Sequence, residues 1–150
     1  MKHLEIRTFL GLLMEKGKAK LTAVNHNESV ENAIRLILKE DYSQLPVMKG
    51  EKAVGVISYE SLAKTVFSFT ESNSKPPAKV RAKDCMEKIL KIFSLEDDLI
   101  SLLSELADKS YVLIRKRNKI TDIITSYDVL WFFRTYGESL FSSKTEKRRF

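Results

Sequence analysis

At 150 residues, 43% of them hydrophobic, the chain can form one ordinary domain or two small lobes that share a core. No apolar run reaches the roughly 18 residues that a membrane-spanning helix needs. The first 18 residues are typical of an amphipathic helix rather than a signal peptide, because Glu5 and Arg7 precede the apolar stretch and no small-residue cleavage site follows. The single cysteine, Cys85, excludes an internal disulfide and favours a reducing compartment, so we expect a cytoplasmic protein.

The net charge of +6 is carried by the two ends of the chain. Residues 1–20 and residues 141–150 each carry +3, and the residues between them are neutral. A basic chain is compatible with binding to nucleic acid. The absence of net charge over residues 21–140 argues against a nucleic-acid-binding domain. We expect residues 141–150 to be a basic tail, disordered or truncated, with a phosphate-contacting arm as the alternative.

Apolar periodicity predicts alternating helices and strands in the first half of the chain. The predicted elements are a helix over 4–15, an extended run over 20–24, a helix over 29–42, strands over 45–48 and 53–58, and a helix over 59–69. Asn27 or Ser29 can cap the second of these helices. The polar segment 71–79, with paired prolines, is the best candidate for a linker.

After this segment the same order of elements returns. The predictions are an extended run over 89–93, a helix over 97–107 with Ser94 as its cap, strands over 111–115 and 119–125, and a helix over 126–137. The halves align with a constant offset in which Ser58 falls on Thr125, 67 residues later, and Lys52 falls on Lys119. The chain therefore contains two copies of one β-α-β-β-α unit.

The ordered motifs of this repeat resemble the cystathionine-β-synthase (CBS) domain, two copies of which form a Bateman module. The family pattern runs from Leu-Pro-Val through a Gly-bearing turn to Gly-apolar-apolar-Thr/Ser-x-x-Asp at a helix start. The matching residues are Leu45-Pro46-Val47, Gly50 and Gly55-Val56-Ile57-Ser58 in the first copy, and Val112-Leu113-Ile114 and Ile123-Ile124-Thr125-Ser126-Tyr127-Asp128 in the second. The resemblance covers residues 8–135. It implies an α/β (α+β) fold of two β-α-β-β-α repeats packed as a pseudo-two-fold pair.

The resemblance also implies that a cleft between the repeats binds an adenine nucleotide (AMP, ADP or ATP) or a related adenosyl ligand. In the second copy, the ligand-binding residues that it implies are Thr125, Ser126, Asp128, Tyr111, Val112, Leu113, Ile89 and Lys91. A weaker second site in the first copy would use Ser58, Ser61, Gln44 and Leu45. The chain departs from the pattern at Ser61, where the family has Asp, and at Leu113 and Asp122, where it has Pro and Gly. Because Ser61 lacks a carboxylate, we expect one good site, in the second copy.

The turn from Thr125 to Asp128 suits such a ligand chemically. A carboxylate at Asp128 can accept hydrogen bonds from two ribose hydroxyls, and a helix that begins at Ser126 directs backbone N–H groups and the positive end of its dipole at a phosphate. The same Thr-x-x-Asp spacing is also what helix capping selects. The two roles can coexist.

The last predicted helix is aromatic, with Val129, Phe132, Phe133 and Tyr136 at helical spacing. This face either packs within the module or pairs with a second copy of the chain. The family commonly forms dimers of paired modules, so the resemblance implies a homodimer.

Four basic residues occupy the tip of the last hairpin: Arg115, Lys116, Arg117 and Lys119. They are interpreted as a solvated turn, with contact to a phosphate or a partner as the alternative.

We expect no metal site, because neither His3 nor His26 lies in a metal-ligand pattern. Cys85 is interpreted as a packed thiol. No Gly-rich phosphate loop or nucleophile–base pair supports catalysis.

The predicted organisation is an N-terminal helix with the first repeat over 1–70, a linker over 71–79, the second repeat over 80–140 and the tail. The predicted function is a non-catalytic regulatory sensor of adenine nucleotides, whose effector domain or partner protein is not recognisable in the chain. The alternatives are a ligand-free dimerisation module that uses the aromatic helix and a nucleic-acid-associated regulator that uses the basic ends.

Overall fold

The computed structural model describes residues 4–15, 17, 21–40, 42–72, 79–89 and 91–149, and of residues 69–72 and 138–149 it describes the backbone only. The helices are α1 (Ile6–Glu15), α2 (Val30–Glu40), α3 (Tyr59–Ser72), α4 (Ala82–Cys85), α5 (Leu99–Asp108) and α6 (Ser126–Arg149). The strands are β1 (Val24–Asn25), β2 (Gln44–Lys49), β3 (Lys52–Ser58), β4 (Ile92–Ser94), β5 (Tyr111–Lys116) and β6 (Lys119–Thr125). The mixed fold class predicted from the sequence is confirmed.

The chain divides into two compact units. The first unit is Leu21–Leu90 with Asn118–Ile120, and the second unit is Met1–Lys20, Lys91–Arg117 and Thr121–Phe150. The described residues form two three-stranded sheets. The sheet β1-β2-β3 lies in the first unit, and the sheet β4-β5-β6 lies in the second unit except for Lys119 and Ile120 at the start of β6. Among the described residues, no helix is long and apolar enough to span a bilayer.

In the first unit, β1 runs parallel to β2, and β2 and β3 form an antiparallel hairpin in which Leu45 lies opposite Ile57. Helix α2 buries Val30, Ala33 and Ile37, which share one face of the helix because they lie three and four residues apart. Among the described residues, eleven form the buried core of this unit: Val24, Val30, Ala33, Ile37, Leu45, Val47, Ile57, Leu62, Val80, Ala82 and Cys85.

In the second unit, β4 runs parallel to β5, and β6 completes the sheet beside β5. Among the described residues, twelve form its buried core, and they come from the sheet, α1, α5, α6 and the loop after β4: Ile6, Phe9, Leu10, Leu13, Phe93, Leu95, Leu99, Leu102, Val112, Ile114, Ile124 and Phe132. The ring of Phe132 lies 4.6 Å from that of Phe9. The aromatic side of α6 is therefore used, at Phe132, for packing within this unit.

Helix α1 packs in the second unit, although the sequence places it beside the first repeat. Three backbone hydrogen bonds dock its start on the loop before α5: Ile6 N–H to the Asp97 carbonyl at 2.9 Å, Arg7 N–H to Leu95 at 2.9 Å, and Leu99 N–H to Leu4 at 2.8 Å. Proximity along the chain cannot reveal such a contact, since both partners lie in different halves of the sequence.

Three further details differ from the expected elements. The short helix α4 was not predicted, and α5 begins after Asp98 rather than after Ser94, whose N–H is instead bonded to Asp97 Oδ2 at 2.9 Å. The backbone of α6 is helical as far as Arg149, through most of the segment expected to be a disordered or truncated tail. Of the expected linker 71–79, residues 73–78 lie outside the described part of the chain.

Candidate functional site

The turn from β6 into α6 is closed by a reciprocal set of hydrogen bonds between Thr125 and Asp128. The backbone N–H and the hydroxyl of Thr125 donate to Asp128 Oδ2 at 3.0 and 3.2 Å, and the Asp128 N–H donates to the Thr125 hydroxyl oxygen at 3.3 Å. This is a capping box, in which each side chain satisfies a backbone N–H of the other residue. The cap fixes the carboxylate of Asp128 at a partly exposed position.

The backbone N–H groups at the start of α6 are less available to a phosphate than the sequence suggested. The Ser126 N–H donates to the carbonyl of Ser110 at 3.1 Å, and the Asp128 N–H is engaged by Thr125. These two N–H groups of the first helical turn therefore already have acceptors. A phosphate could accept hydrogen bonds from them only by displacing those acceptors. The Asp128 carboxylate, an acceptor for hydroxyl donors, is the better defined feature of this turn.

The equivalent turn of the first unit, from β3 into α3, has the same cap built from two serines. The Ser58 N–H donates to Ser61 Oγ at 2.8 Å, and the Ser61 N–H donates to Ser58 Oγ at 3.1 Å. Both side chains are buried, with exposed fractions of 7% and 5%. A serine can therefore replace the aspartate as a cap, but it leaves no carboxylate in the turn.

A carboxylate from elsewhere in the chain reaches the first turn. The segment after α4 pairs with β3 through two backbone hydrogen bonds between Val56 and Glu87, at 2.8 and 3.0 Å. This pairing brings Glu87 to Ser58, whose hydroxyl donates to Glu87 Oε1 at 3.1 Å. Glu87 could not be identified from the sequence, because 29 residues separate it from Ser58 and no local motif marks it.

The other predicted site residues lie on the strands that flank these turns. In the second unit the bond between Ser126 and Ser110 places the start of β5 beside the end of β6, so Tyr111 lies near Thr125. Val112 and Leu113 are buried, Val112 in the core, and only their backbone groups could meet a ligand.

The structure also describes the surroundings of four other predicted residues. Leu45 is a fully buried core residue, whereas Gln44 pairs with Ser58 in the β2–β3 register. Lys91 is exposed and lies 4.6 Å from the centre of the Phe93 ring. Ile89 is half-buried in the first unit. No residue of this set is excluded, and none is shown to contact a ligand.

A separate depression of about 450 Å³ lies in the second unit, at the far end of β5. Its lining residues are Arg7, Ser94, Glu96, Arg115, Lys116 and Arg117. Arg7 pairs with Glu96 at 2.5 Å. The hairpin residues of this set form a basic cluster in the sequence, whereas Arg7, Ser94 and Glu96 are brought to the depression by tertiary packing.

Within the described ranges, no three His, Cys, Asp or Glu side chains come together as metal ligands. His3 lies outside the described residues, and His26 is half-buried. Cys85 is buried in the core of the first unit, where desolvation raises the pKa of its thiol and a hydrogen bond from Thr65 partly opposes the shift.

Part of the chain matches the model of a known protein family. The CBS domain model matches residues 13–68. Comparison with curated proteins gives no significant match. Residues 13–68 contain the first repeat, and the second repeat, outside this range, is the one in which Leu113 and Asp122 replace the motif's Pro and Gly.

Solved structures match the fold over both units. A CBS domain-containing protein of unknown function from Bacillus anthracis has a TM-score of 0.69 at 15% identity, covering 88% of this chain and 94% of that one. CBSX2 in complex with AMP has a TM-score of 0.64 at 19% identity, covering 78% and 90%. CbpB in complex with c-di-AMP has a TM-score of 0.63 at 13% identity, covering 82% and 83%. Residues 13–68 therefore match the CBS domain, the fold of the chain is similar to that of these CBS-domain structures, and the second unit repeats the order of elements found in the first.

Proposed function

We propose that the protein is a non-catalytic regulatory sensor that binds an adenine nucleotide at the Thr125–Asp128 turn of its second unit. The observation that carries this proposal is the difference between the two turns. Asp128 has a carboxylate that is partly exposed and held by Thr125, whereas Ser61 has none and is buried. Ser58, its partner, is in addition bonded to Glu87.

The carboxylate is suited to the ribose of such a ligand. Asp128 Oδ2 is oriented by two donors of Thr125, so the carboxylate need not lose further rotational freedom when it accepts hydroxyl groups. Backbone groups of β5 at Tyr111 and Leu113 are the proposed contacts for the adenine edge. The complexes of CBSX2 with AMP and of CbpB with c-di-AMP support an adenine-containing ligand.

Regulation would follow from linkage. A ligand that prefers one conformation of the protein shifts the population toward it by no more than its difference in affinity for the two states. The signal would pass to an effector domain or to a partner protein, and AMP, ADP and ATP are the ligands to compare.

The experiment is a thermal-shift titration with AMP, ADP, ATP, c-di-AMP and S-adenosylmethionine. A ligand at 100 times its Kd stabilises the native state by about 2.7 kcal/mol, which raises the Tm of a protein of this size by about 5–10 °C. The diagnostic variant is Asp128→Ser. Because Ser61 caps α3 in the same geometry, this substitution keeps the cap and removes the carboxylate.

We expect Asp128→Ser to unfold near the wild-type temperature without ligand and to lose the ligand-induced shift. The matched control is Ser61→Ala, which should lower the stability by about 1 kcal/mol through loss of a cap and keep the shift. An Asp128→Ser protein that responds to the ligand as wild type does, or a wild type that no ligand stabilises, would contradict the proposed site.

A second candidate function, a ligand-free dimerisation module, is favoured by exposed apolar side chains on α6. Tyr127 and Leu130 are 73% and 71% exposed and lie three residues apart, on one face of the helix. Sedimentation equilibrium of the wild type and of Leu130→Ser tests this function. A dimer that dissociates in the variant supports it, and a wild-type monomer at all concentrations rules it out.

A further inference from the structure

The basic depression at the far end of β5 is built by three segments of the second unit. Parallel pairing of β4 with β5 sets Ser94 beside Arg115. The docking of α1 on the loop before α5, through the hydrogen bond from the Arg7 N–H to the Leu95 carbonyl, brings Arg7 into the lining as well. The depression is therefore a product of the tertiary structure of this unit, and not only of the basic hairpin.

The charges of the lining are strongly unbalanced. Four cations and one carboxylate line the depression, so three positive charges are left over. The carboxylate of Glu96 is paired with Arg7, and both side chains are more than half exposed. No aromatic or aliphatic residue is among the lining residues, so a base or another apolar group would find no surface to stack on.

The turn that carries Arg117 has an unfavourable backbone conformation. Arg117 has a φ of 59°, in the left-handed region that side chains other than Gly, Asn and Asp rarely adopt. The aligned position in the hairpin of the first unit is Gly50, with a φ of 63°. The same turn thus occurs twice, and in the second unit an arginine stands where glycine would fit without strain. Strain of this kind is typical of functional positions.

The hairpin also orders one of its guanidinium groups, that of Arg115. Arg115 donates from Nη1 to the carbonyl of Arg117 at 3.1 Å, across the turn. A guanidinium presents five N–H donors in a planar fork, which matches the oxygen atoms of phosphate. Together with Lys116, the two arginines contribute three of the cationic side chains that line the depression.

From these observations we propose that the depression is a binding site for a small ligand that carries two or more phosphate groups. The volume, about 450 Å³, is within the range of small-molecule sites. The site is distinct from the Thr125–Asp128 turn and does not depend on the proposed nucleotide function. The two lie at opposite ends of β5, a strand of six residues, which corresponds to a separation of about 15–20 Å.

The test is isothermal titration of the full chain with tripolyphosphate at constant ionic strength. Arg117→Gly removes one guanidinium and relieves the strain. We expect binding to be about tenfold weaker, because the variant loses one charge-assisted hydrogen bond to the ligand. We also expect a Tm equal to or above that of the wild type. Because the variant is not destabilised, weaker binding cannot be attributed to unfolding.

Three comparison variants make the test specific. Lys49→Ala removes one charge from the aligned tip of the first hairpin and should leave the affinity for tripolyphosphate unchanged. Asp128→Ser should also leave it unchanged, which separates this site from the nucleotide turn. Glu96→Gln removes the one carboxylate among the described lining residues and should strengthen binding.

Two results would overturn the proposal. One is an affinity for tripolyphosphate that Arg117→Gly does not lower, or that Lys49→Ala lowers equally, since this would indicate a general effect of net charge. The other is an absence of tripolyphosphate binding while a short oligonucleotide or vesicles of anionic lipid bind in an Arg117-dependent manner. The occupant would then be a nucleic-acid or membrane phosphate and not a small ligand.

Discussion

The approach of the segment after α4 to strand β3 leads to a sharp prediction for Gly55→Ala. A Cβ atom at Gly55 would lie 2.6 Å from Met86 Cγ, in contact with its sulfur, and 2.8 Å from the backbone oxygen of Glu87. The methionine side chain is flexible and can move. The carbonyl of Glu87 cannot move freely, because the same residue forms two backbone hydrogen bonds with Val56.

The magnitude follows from these contacts. Overpacking of this kind costs about 1–3 kcal/mol, and the loss of one of the two backbone hydrogen bonds costs about 1 kcal/mol more. The lower backbone entropy of alanine in the unfolded chain returns about 0.5–1 kcal/mol. We therefore expect Gly55→Ala to lower the free energy of unfolding by about 2 kcal/mol, which corresponds to a decrease in Tm of about 4–8 °C.

The assay is urea denaturation followed by circular dichroism, with thermal unfolding as a second measurement. The matched control is Gly11→Ala on α1, where a Cβ would meet nothing within 4 Å and where alanine should stabilise the helix by about 1 kcal/mol. The double variant Gly55→Ala/Met86→Ala should recover only part of the loss, because the carbonyl of Glu87 remains. If Gly55→Ala is as stable as the wild type, or if the double variant recovers all of the loss, the close backbone approach is not the cause.

Two further predictions concern the cores of the two units. Phe132→Ala should destabilise the protein by about 3–5 kcal/mol, because it leaves a cavity beside Phe9. Denaturant unfolding measures this loss of stability, and a loss below about 1 kcal/mol would indicate that α6 does not pack as described. Cys85 should react slowly with iodoacetamide at pH 8 in the native protein and rapidly in urea, because burial both shields the thiol and raises its pKa above the usual 9.0. Because the thiol ionises at a lower pH in the unfolded chain than in the native protein, the free energy of unfolding should fall as the pH rises above 9.0. This fall should be less steep in Cys85→Ala, and equal slopes of stability against pH in the two proteins would refute the assigned pKa shift.

Much of the architecture could be predicted from local patterns. The repeat, the order of helices and strands and the two hairpins follow from periodicity and from the alignment of Ser58 with Thr125. The capping interactions at both helix starts are equally local, since each joins residues only three positions apart. Such short-range interactions can be predicted from the sequence, because the residues that form them are neighbours on the chain.

The sites depend on contacts that no local pattern contains. Glu87 reaches Ser58 only because its segment pairs with β3, and Arg7 reaches the basic hairpin only because α1 docks in the second unit. The strain at Arg117 became visible only through the backbone angle of its turn. The sequence by itself determined the two repeats and the difference between Asp128 and Ser61, whereas the tertiary structure decided which charges surround each turn. The physical reason is that backbone periodicity and capping act within a few residues, whereas electrostatic environment is set by groups that the fold brings together from distant parts of the chain.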